Sequence, residues 1–456
     1  MTFRLVDEVP VDPARARVYA EGWQSWSPAT WYAPGVTGIR PATGWQQAMR
    51  FRPGKPLPER GLQGEGLVVV DPGGGAPARW YGAADAVTAV PTLRAVLDAG
   101  RVVVEADGDV TSGEGPSGAA AVAVFADGFA ARAGVAALRP APRVWCSWYR
   151  YFEDVTVADV QENLAALGEG DLAVDVVQID DGWSRGLGEG LAPRDGFTSL
   201  PRLVDEIRAT GRTAGLWLAP FLVGADSTLA HEHPDWLVGD AGHNWGQDLV
   251  GLDLTHPGVR EHLAEQLARL RGLGIGYLKL DFLYGGAIPG RRHDDVSEVE
   301  AYRRGLALVR DAVGPDVYLL GCGAPILPSV GLVDAMRVSP DTFHEGGEDE
   351  SSGLRGLMPL TARAWQHGRW WVNDADCLVT RPSYRLREQC AEALTRFGGL
   401  RSFSDRIAEL DAWALHTTRR LLSEAPPPLP FGDDVVEQGA RVAAGLVADQ
   451  ADVGAP

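Results

Sequence analysis

Residues 276–286, GYLKLDFLYGG, place Lys279 and Asp281 inside an apolar run that reads as a buried strand. A buried charge is costly unless it is paired, so the placement needs a reason. Side chains alternate along a strand, which puts Lys279 and Asp281 on one face and Leu278, Leu280 and Phe282 on the other. A structural ion pair at a strand end would produce the same pattern as a working site, and the neighbouring segments must decide between them.

Outward from this strand, the chain after Arg143 alternates between short apolar runs and amphipathic segments. The runs are VWCSWYRYF, VDVVQID, TAGLWLAPF, YLKLDF, VYLLGC, AMRVSPD, WWVNDAD and GGLRSFSD. Between them lie VADVQENLAAL, LPRLVDEIRATG, VREHLAEQLARLRGLG, VEAYRRGLALVRDAVG and YRLREQCAEALTRFG, whose apolar residues recur at helical spacing. Eight β-then-α units predict a (β/α)8 TIM barrel over residues 140–422. An open doubly wound sheet is disfavoured because no glycine-rich phosphate loop follows the first strand. Residues 1–135 carry β-rich runs such as GLVVVDP, RVVVEADGDV and AAVAVFADGF between Gly, Pro and Asp turns, which predict an N-terminal β-sandwich domain. The prolines of ALRPAPRV mark the linker. Residues 423–456, which include APPPLPFGDD, are expected to form a short C-terminal tail or a vestigial β element.

Composition limits what such a fold would handle. The 456 residues carry a net charge of −19, so phosphate backbones and anionic membranes are repelled and neither nucleic acid nor a lipid surface is expected as a partner. Fifteen Trp supply flat faces of the kind that stack on the apolar faces of sugars. Cys146, Cys322, Cys377 and Cys390 form no closely spaced pair, which gives neither a zinc knuckle nor a disulfide framework. The first residues lack a signal-peptide pattern and no segment reads as a membrane span, so a cytoplasmic protein is expected. A homo-oligomer remains compatible with this composition.

In a barrel the chemistry gathers at the C-terminal ends of the strands. Those ends carry Asp180, Asp181 and Trp183 on the second strand, Trp217 on the third, and Lys279 and Asp281 on the fourth. The fifth ends at Cys322, the sixth in Arg337 and Asp341, the seventh in Asp374 and Asp376, the eighth in Asp405. A single strand-end acid is ordinarily a cap or a turn former; the joint pattern points to one cleft. His231 and His233 lie well past the third strand beside Pro234, so a metal pair is not expected. The third strand ends without an acid, against an enolase-type magnesium site, and no nucleophile elbow is present. What remains is carboxyl chemistry on a neutral polyhydroxylated substrate in a Trp-lined pocket, with no cofactor and no metal, a description that fits glycoside hydrolysis.

The segments WCSWYRYF, QIDDGW, GLWLAPF, YLKLDF, GCGAP, RVSPD and NDADCLVTR, with GWQSWS near the N-terminus, resemble in order and spacing the α-galactosidase (melibiase) family. The resemblance spans roughly residues 20 to 405 and implies a β-sandwich followed by a TIM barrel. It further implies that Asp281 is the nucleophile and Asp341 the general acid/base of a retaining double displacement. Asp180 and Asp181 would bind the O4 and O6 side of galactose, Lys279 its hydroxyls, with Cys322 and Arg337 also in the pocket. Trp183, Trp217, Trp148 and Tyr149 would wall it, and Trp26 would close it from the sandwich side. The expected substrate is a small α-galactoside or oligosaccharide. Leu280 stands where the family commonly has Trp, LAPF lacks the family's acid, and Pro340 replaces a second acid. N-acetylgalactosamine as the sugar, transfer to a sugar acceptor, and a non-catalytic sugar-binding protein on the same barrel therefore stay open.

Overall fold

In the computed structural model, which describes residues 2–41, 44–85, 87–170, 172–343, 354–424 and 432–434, all eight expected strands lie in one parallel sheet. They are β1 (Arg143–Cys146), β2 (Val176–Ile179), β3 (Thr213–Leu218), β4 (Ile275–Leu280), β5 (Tyr318–Gly321), β6 (Ala335–Arg337), β7 (Val372–Asp374) and β8 (Arg401–Phe403). Neighbours pair in chain order, β1 also pairs with β8, and a bridge between Asp374 and Leu400 closes the ring. A helix follows each strand, among them Val157–Glu169, Leu200–Ala209, Pro257–Leu273, Glu298–Val313 and Arg387–Phe397, where the amphipathic segments predicted them.

The alternation along β4 has a direct structural meaning. Leu278 and Leu280 join the large core shared with the surrounding helices. Tyr277 joins Val144, Val176, Tyr318, Leu320, Ala335 and Val372, strand residues contributed from around the ring, which fill the barrel's interior. Tyr277 and Tyr318 stack with centroids 5.7 Å apart, and Lys279 stands one layer above them on the same face. The barrel is therefore plugged below the charged strand ends, and the site opens at one end only.

Two antiparallel sheets precede the barrel and form the β-sandwich. One contains Arg4–Pro10, Leu62–Glu65, Thr92–Asp98 and Arg101–Ala106; the other contains Arg17–Ala20, Thr30–Tyr32, Leu67–Asp71, Ala78–Gly82 and Thr111–Gly115. The strand Leu67–Asp71 is buried on both faces. Val68 and Val70 meet the first sheet, whereas Leu67 and Val69 belong to the core that runs on towards the barrel.

Three expectations need correction. AAVAVFADGF is not a strand: it lies in the helix Gly118–Ala133, which packs Val122, Phe125, Ala126 and Phe129 into the same core as Leu67 and Val69. Its apolar residues recur at i, i+3, i+4 and i+7, Ser117 caps its first turn, and Gly134 ends it at φ +69°. VWCSWYRYF leaves the strand at Cys146, and Trp148–Tyr151 forms a helical turn. Asp341 lies not at the end of β6 but on the loop four residues beyond it. The connection from β3 to its helix also holds an unanticipated antiparallel sheet, Leu222–Gly224, Leu237–Asn244 and Gln247–Leu252. The expectation for 423–456 falls almost wholly outside the described residues. Among those described, no helix is long and apolar enough to cross a membrane.

Candidate active site

The strand ends bring Asp180, Lys279 and Asp281 into one charged group. Lys279 Nζ donates to Asp180 Oδ2 at 2.9 Å and lies 3.8 Å from Asp281 Oδ2. Burial acts to strip the proton from Lys279, but the charges of Asp180 and Asp281 more than reverse this and hold its pKa well above the usual ammonium value. Asp281 is fixed on both oxygens: Trp217 Nε1 donates to Oδ2 at 3.0 Å and the Phe282 N–H to Oδ1 at 2.8 Å. Phe282 adopts φ +51°, a left-handed turn that swings the chain away directly after Asp281.

Asp180 and Asp181 are unlike each other. Asp180 Oδ2 accepts from Lys279, from Gln178 Nε2 at 2.6 Å and from the Cys146 thiol at 3.3 Å, while Oδ1 accepts the Asp181 N–H. Most of its acceptor capacity is spent inside the protein. Asp181 accepts the N–H of Gly182, and no other hydrogen bond to its carboxyl is found among the described residues. Burial, with the charges of Asp180, Glu153 and Asp281 added and the Gly182 N–H opposing, pushes the Asp181 carboxyl up to about 7.

A second group surrounds Arg337. Its guanidinium contacts Asp341 at 3.2 Å, Asp374 at 3.1 Å and Asp376 at 2.5 Å. Asp376, at φ +79°, accepts the Thr342 N–H and hydroxyl and the Tyr149 hydroxyl, so it pins the residue next to Asp341. Burial and the charge of Asp376 push the Asp341 carboxyl up, against Arg337, Lys279 and Tyr149. Its side chain is nonetheless 47% exposed, so solvent moderates that rise. Cys322 at the end of β5 is buried next to Asp281, and burial and that charge push its thiol pKa well up.

The aromatic candidates divide. Trp217 touches Asp281 itself, whereas Trp183 is 1% exposed and spends its indole N–H on the Trp217 carbonyl, as a buttress behind it. Tyr149 is buried with its hydroxyl on Asp376, and Trp148 stands part-buried against Phe152. Trp26 reaches over from the sandwich side and meets Phe282 and Tyr284 edge-on at 5.0 and 5.9 Å. It is carried by a segment tied to the barrel through Arg363, fully buried, which pairs with Glu21 and donates to the carbonyls of Gln24, Ser25 and Val338. Asp405 is placed elsewhere, paired with Arg381 at 3.0 Å. His233 stacks on Trp236 at 3.9 Å, and among the described residues no cluster of His, Cys, Asp and Glu is arranged to hold a metal ion.

Gln178 and Cys146 were not singled out from the sequence as site residues, and Asp376 was read only as a strand-end acid. Gln178 precedes Asp180 by two positions, so alternation alone could have placed it on the same face. The partners of Cys146 and Asp376 carried no such signal, because each acquires its role from a neighbouring strand. Chemically, the arrangement offers a carboxylate fixed between N–H donors beside a cation, and a second carboxyl that favours its proton at a solvent-open edge.

Comparison with known proteins bears on this arrangement. The melibiase family model matches residues 137–310. The α-galactosidase AgaA of Geobacillus stearothermophilus is 26% identical over 189 residues, 37% of this chain and 25% of that protein. The α-galactosidase of Escherichia coli is 27% identical over 182 residues, 37% of this chain and 25% of that protein. The matched segments thus span about a quarter of the length of these curated relatives. Among solved structures, TtGalA, an α-galactosidase from Thermus thermophilus in complex with p-nitrophenyl α-D-galactopyranoside, is 28% identical with a TM-score of 0.78, covering 94% of this chain and 91% of that one. The motif order, the sandwich-and-barrel architecture and a structural alignment that runs nearly end to end agree in likening the chain to the α-galactosidase (melibiase) family.

Proposed function

We propose that the protein is a retaining glycoside hydrolase that removes terminal α-D-galactosyl groups by double displacement. The observation that carries this reading is the contrast between Asp281, held between Trp217 Nε1 and the Phe282 N–H beside Lys279, and Asp341, whose carboxyl is pushed towards its protonated form. Asp281 attacks the anomeric carbon while Asp341 gives its proton to the departing glycosidic oxygen. The β-linked galactosyl-enzyme then forms, and Asp341, now a base, takes a proton from the water that releases galactose in its original α configuration. Lys279 and Asp181 meet sugar hydroxyls; Asp180, largely saturated by its own neighbours, orients Lys279. The Thermus relative bound p-nitrophenyl α-D-galactopyranoside and, in a second structure, stachyose, which supports small galactosides and galacto-oligosaccharides as substrates.

A panel of aryl α-glycosides tested on wild type and Asp281→Ala checks the proposal. Wild type should turn over the α-galactoside fastest, and Asp281→Ala should lose about four orders of magnitude or more in kcat. A preference for the α-N-acetylgalactosaminide would revise the sugar. Binding of galactose without turnover of any glycoside would make the chain a sugar-binding protein.

A further inference from the structure

The unanticipated sheet between β3 and its helix ends in a hairpin aimed at the aromatic residues of the site. Asn244 pairs with Gln247, so the turn consists of Trp245 and Gly246 alone. Both have positive φ, +48° and +70°, as a type I′ turn requires. Glycine suits that conformation, and Asn or Asp tolerates it. A bulky side chain there is strained. Such strain persists where the surrounding structure or the function of the residue demands it, which makes the position informative.

The Trp245 ring meets Trp217 edge-on at 6.2 Å and lies 5.2 Å from Phe282. Trp217 is the residue whose indole N–H holds Asp281, and Phe282 is the residue whose backbone N–H does so. Trp245 is therefore one ring removed from Asp281, yet it stays part-exposed, and Gly246 beside it is exposed. Charged groups surround Asp281, as a sugar bound by its hydroxyls requires. At this rim the part-exposed rings of Trp26 and Trp245 both pack on the buried Phe282, and Tyr284 lies beneath Trp26 and Phe282. A leaving group that carries its own pyranose ring would cross that rim with an apolar C–H face to cover.

We propose that Trp245 is the stacking platform for the leaving-group sugar, so that it sets the preference for galacto-oligosaccharides over galactosides with small aglycones. The inference rests on the glycosidase reading above. Trp245→Asn is the informative substitution, because Asn-Gly is the favoured pair for a type I′ turn: the hairpin is relieved while the ring is removed. Three substrates separate the roles: raffinose, methyl α-galactoside and α-galactosyl fluoride, the last with no aglycone to stack. For Trp245→Asn, kcat/KM on raffinose should fall about tenfold while the values for methyl α-galactoside and α-galactosyl fluoride change less than about twofold, with the melting temperature unchanged or raised. Trp245→Leu, which keeps apolar bulk without a flat face, should show the same selective loss and serves if Trp245→Asn fails to fold. Equal losses on all three substrates would mean that the ring only props Trp217 against Asp281, and no loss on raffinose would mean that it touches nothing in the reaction; either overturns the proposal. Wild type inert towards all three would remove the glycosidase reading itself.

Discussion

Lys279 on β4 and Arg337 at the end of β6 are both buried cations ringed by carboxylates, yet the acids they hold differ in setting. The Asp281 side chain is 9% exposed and belongs to a residue one position past its strand, with Trp217 and its own neighbour's N–H on its two oxygens. The Asp341 side chain is 47% exposed and sits on a loop, held by one contact to Arg337 and indirectly through Thr342 and Asp376. The difference matches two chemical duties. A nucleophile gains from fixed geometry and exclusion of water, since its attack must be aligned and its charge must not be solvated away. An acid that must later act as a base gains from contact with solvent, from which its proton returns, and from a neighbouring negative charge such as Asp376 that favours the protonated form. Rigidity is thus built into the strand end, and solvent access, which the proposed mechanism uses for proton exchange, into the loop.

Two substitutions would break or sharpen this comparison. Asp341→Ala, with the larger effect, should lower kcat/KM by about three orders of magnitude for galactosides with poor leaving groups and by far less for activated aryl galactosides, which need no proton to depart. Azide should then restore turnover and yield the α-galactosyl azide, because it attacks from the face that water uses. Equal loss on every substrate, with no azide product, would place the acid elsewhere.

Asp181→Asn should act more mildly, about tenfold in kcat/KM, through one lost charge-assisted hydrogen bond to substrate. It also carries a pH signature. The folded-state pKa of about 7 lies above the ordinary value of 3.8, so the folded protein holds this proton where the unfolded chain has lost it. The associated stability is fully present below pH 4 and is lost as the pH rises to about 7. Asp181→Asn should therefore raise the melting temperature at pH 8 and leave it unchanged at pH 4. A uniform shift at both pH values would show that Asp181 works as an ordinary loop cap.

The barrel was legible in the chain because each strand is a short apolar run that ends in a polar residue, and each intervening helix repeats its apolar positions at the right spacing. Lys279 and Asp281 could be placed on one face by alternation, and the structure puts them within 3.8 Å. Other features were legible but misread or passed over. In AAVAVFADGF the alternation of Val with Ala imitated a strand, although Ser117 and Gly134 mark the two ends of a helix. The Asn-Trp-Gly sequence at 244–246 was a visible hairpin signal, obscured because Trp is the wrong residue for a turn. The partners of Arg337 were not legible at all. Asp374 and Asp376 looked like further strand-end acids, and only the placement of β6 beside β7 shows that they grip the cation that also contacts Asp341.

The central chemical question is which carboxyl bonds to the sugar. A fluorinated α-galactosyl fluoride that forms the glycosyl-enzyme faster than it is hydrolysed would trap that bond, and peptide mass spectrometry of the trapped protein would locate it. A single galactosyl adduct is expected on Asp281, formed by wild type and absent from Asp281→Ala. An adduct on Asp341, or turnover of an ordinary α-galactoside to β-galactose with no adduct at all, would contradict it.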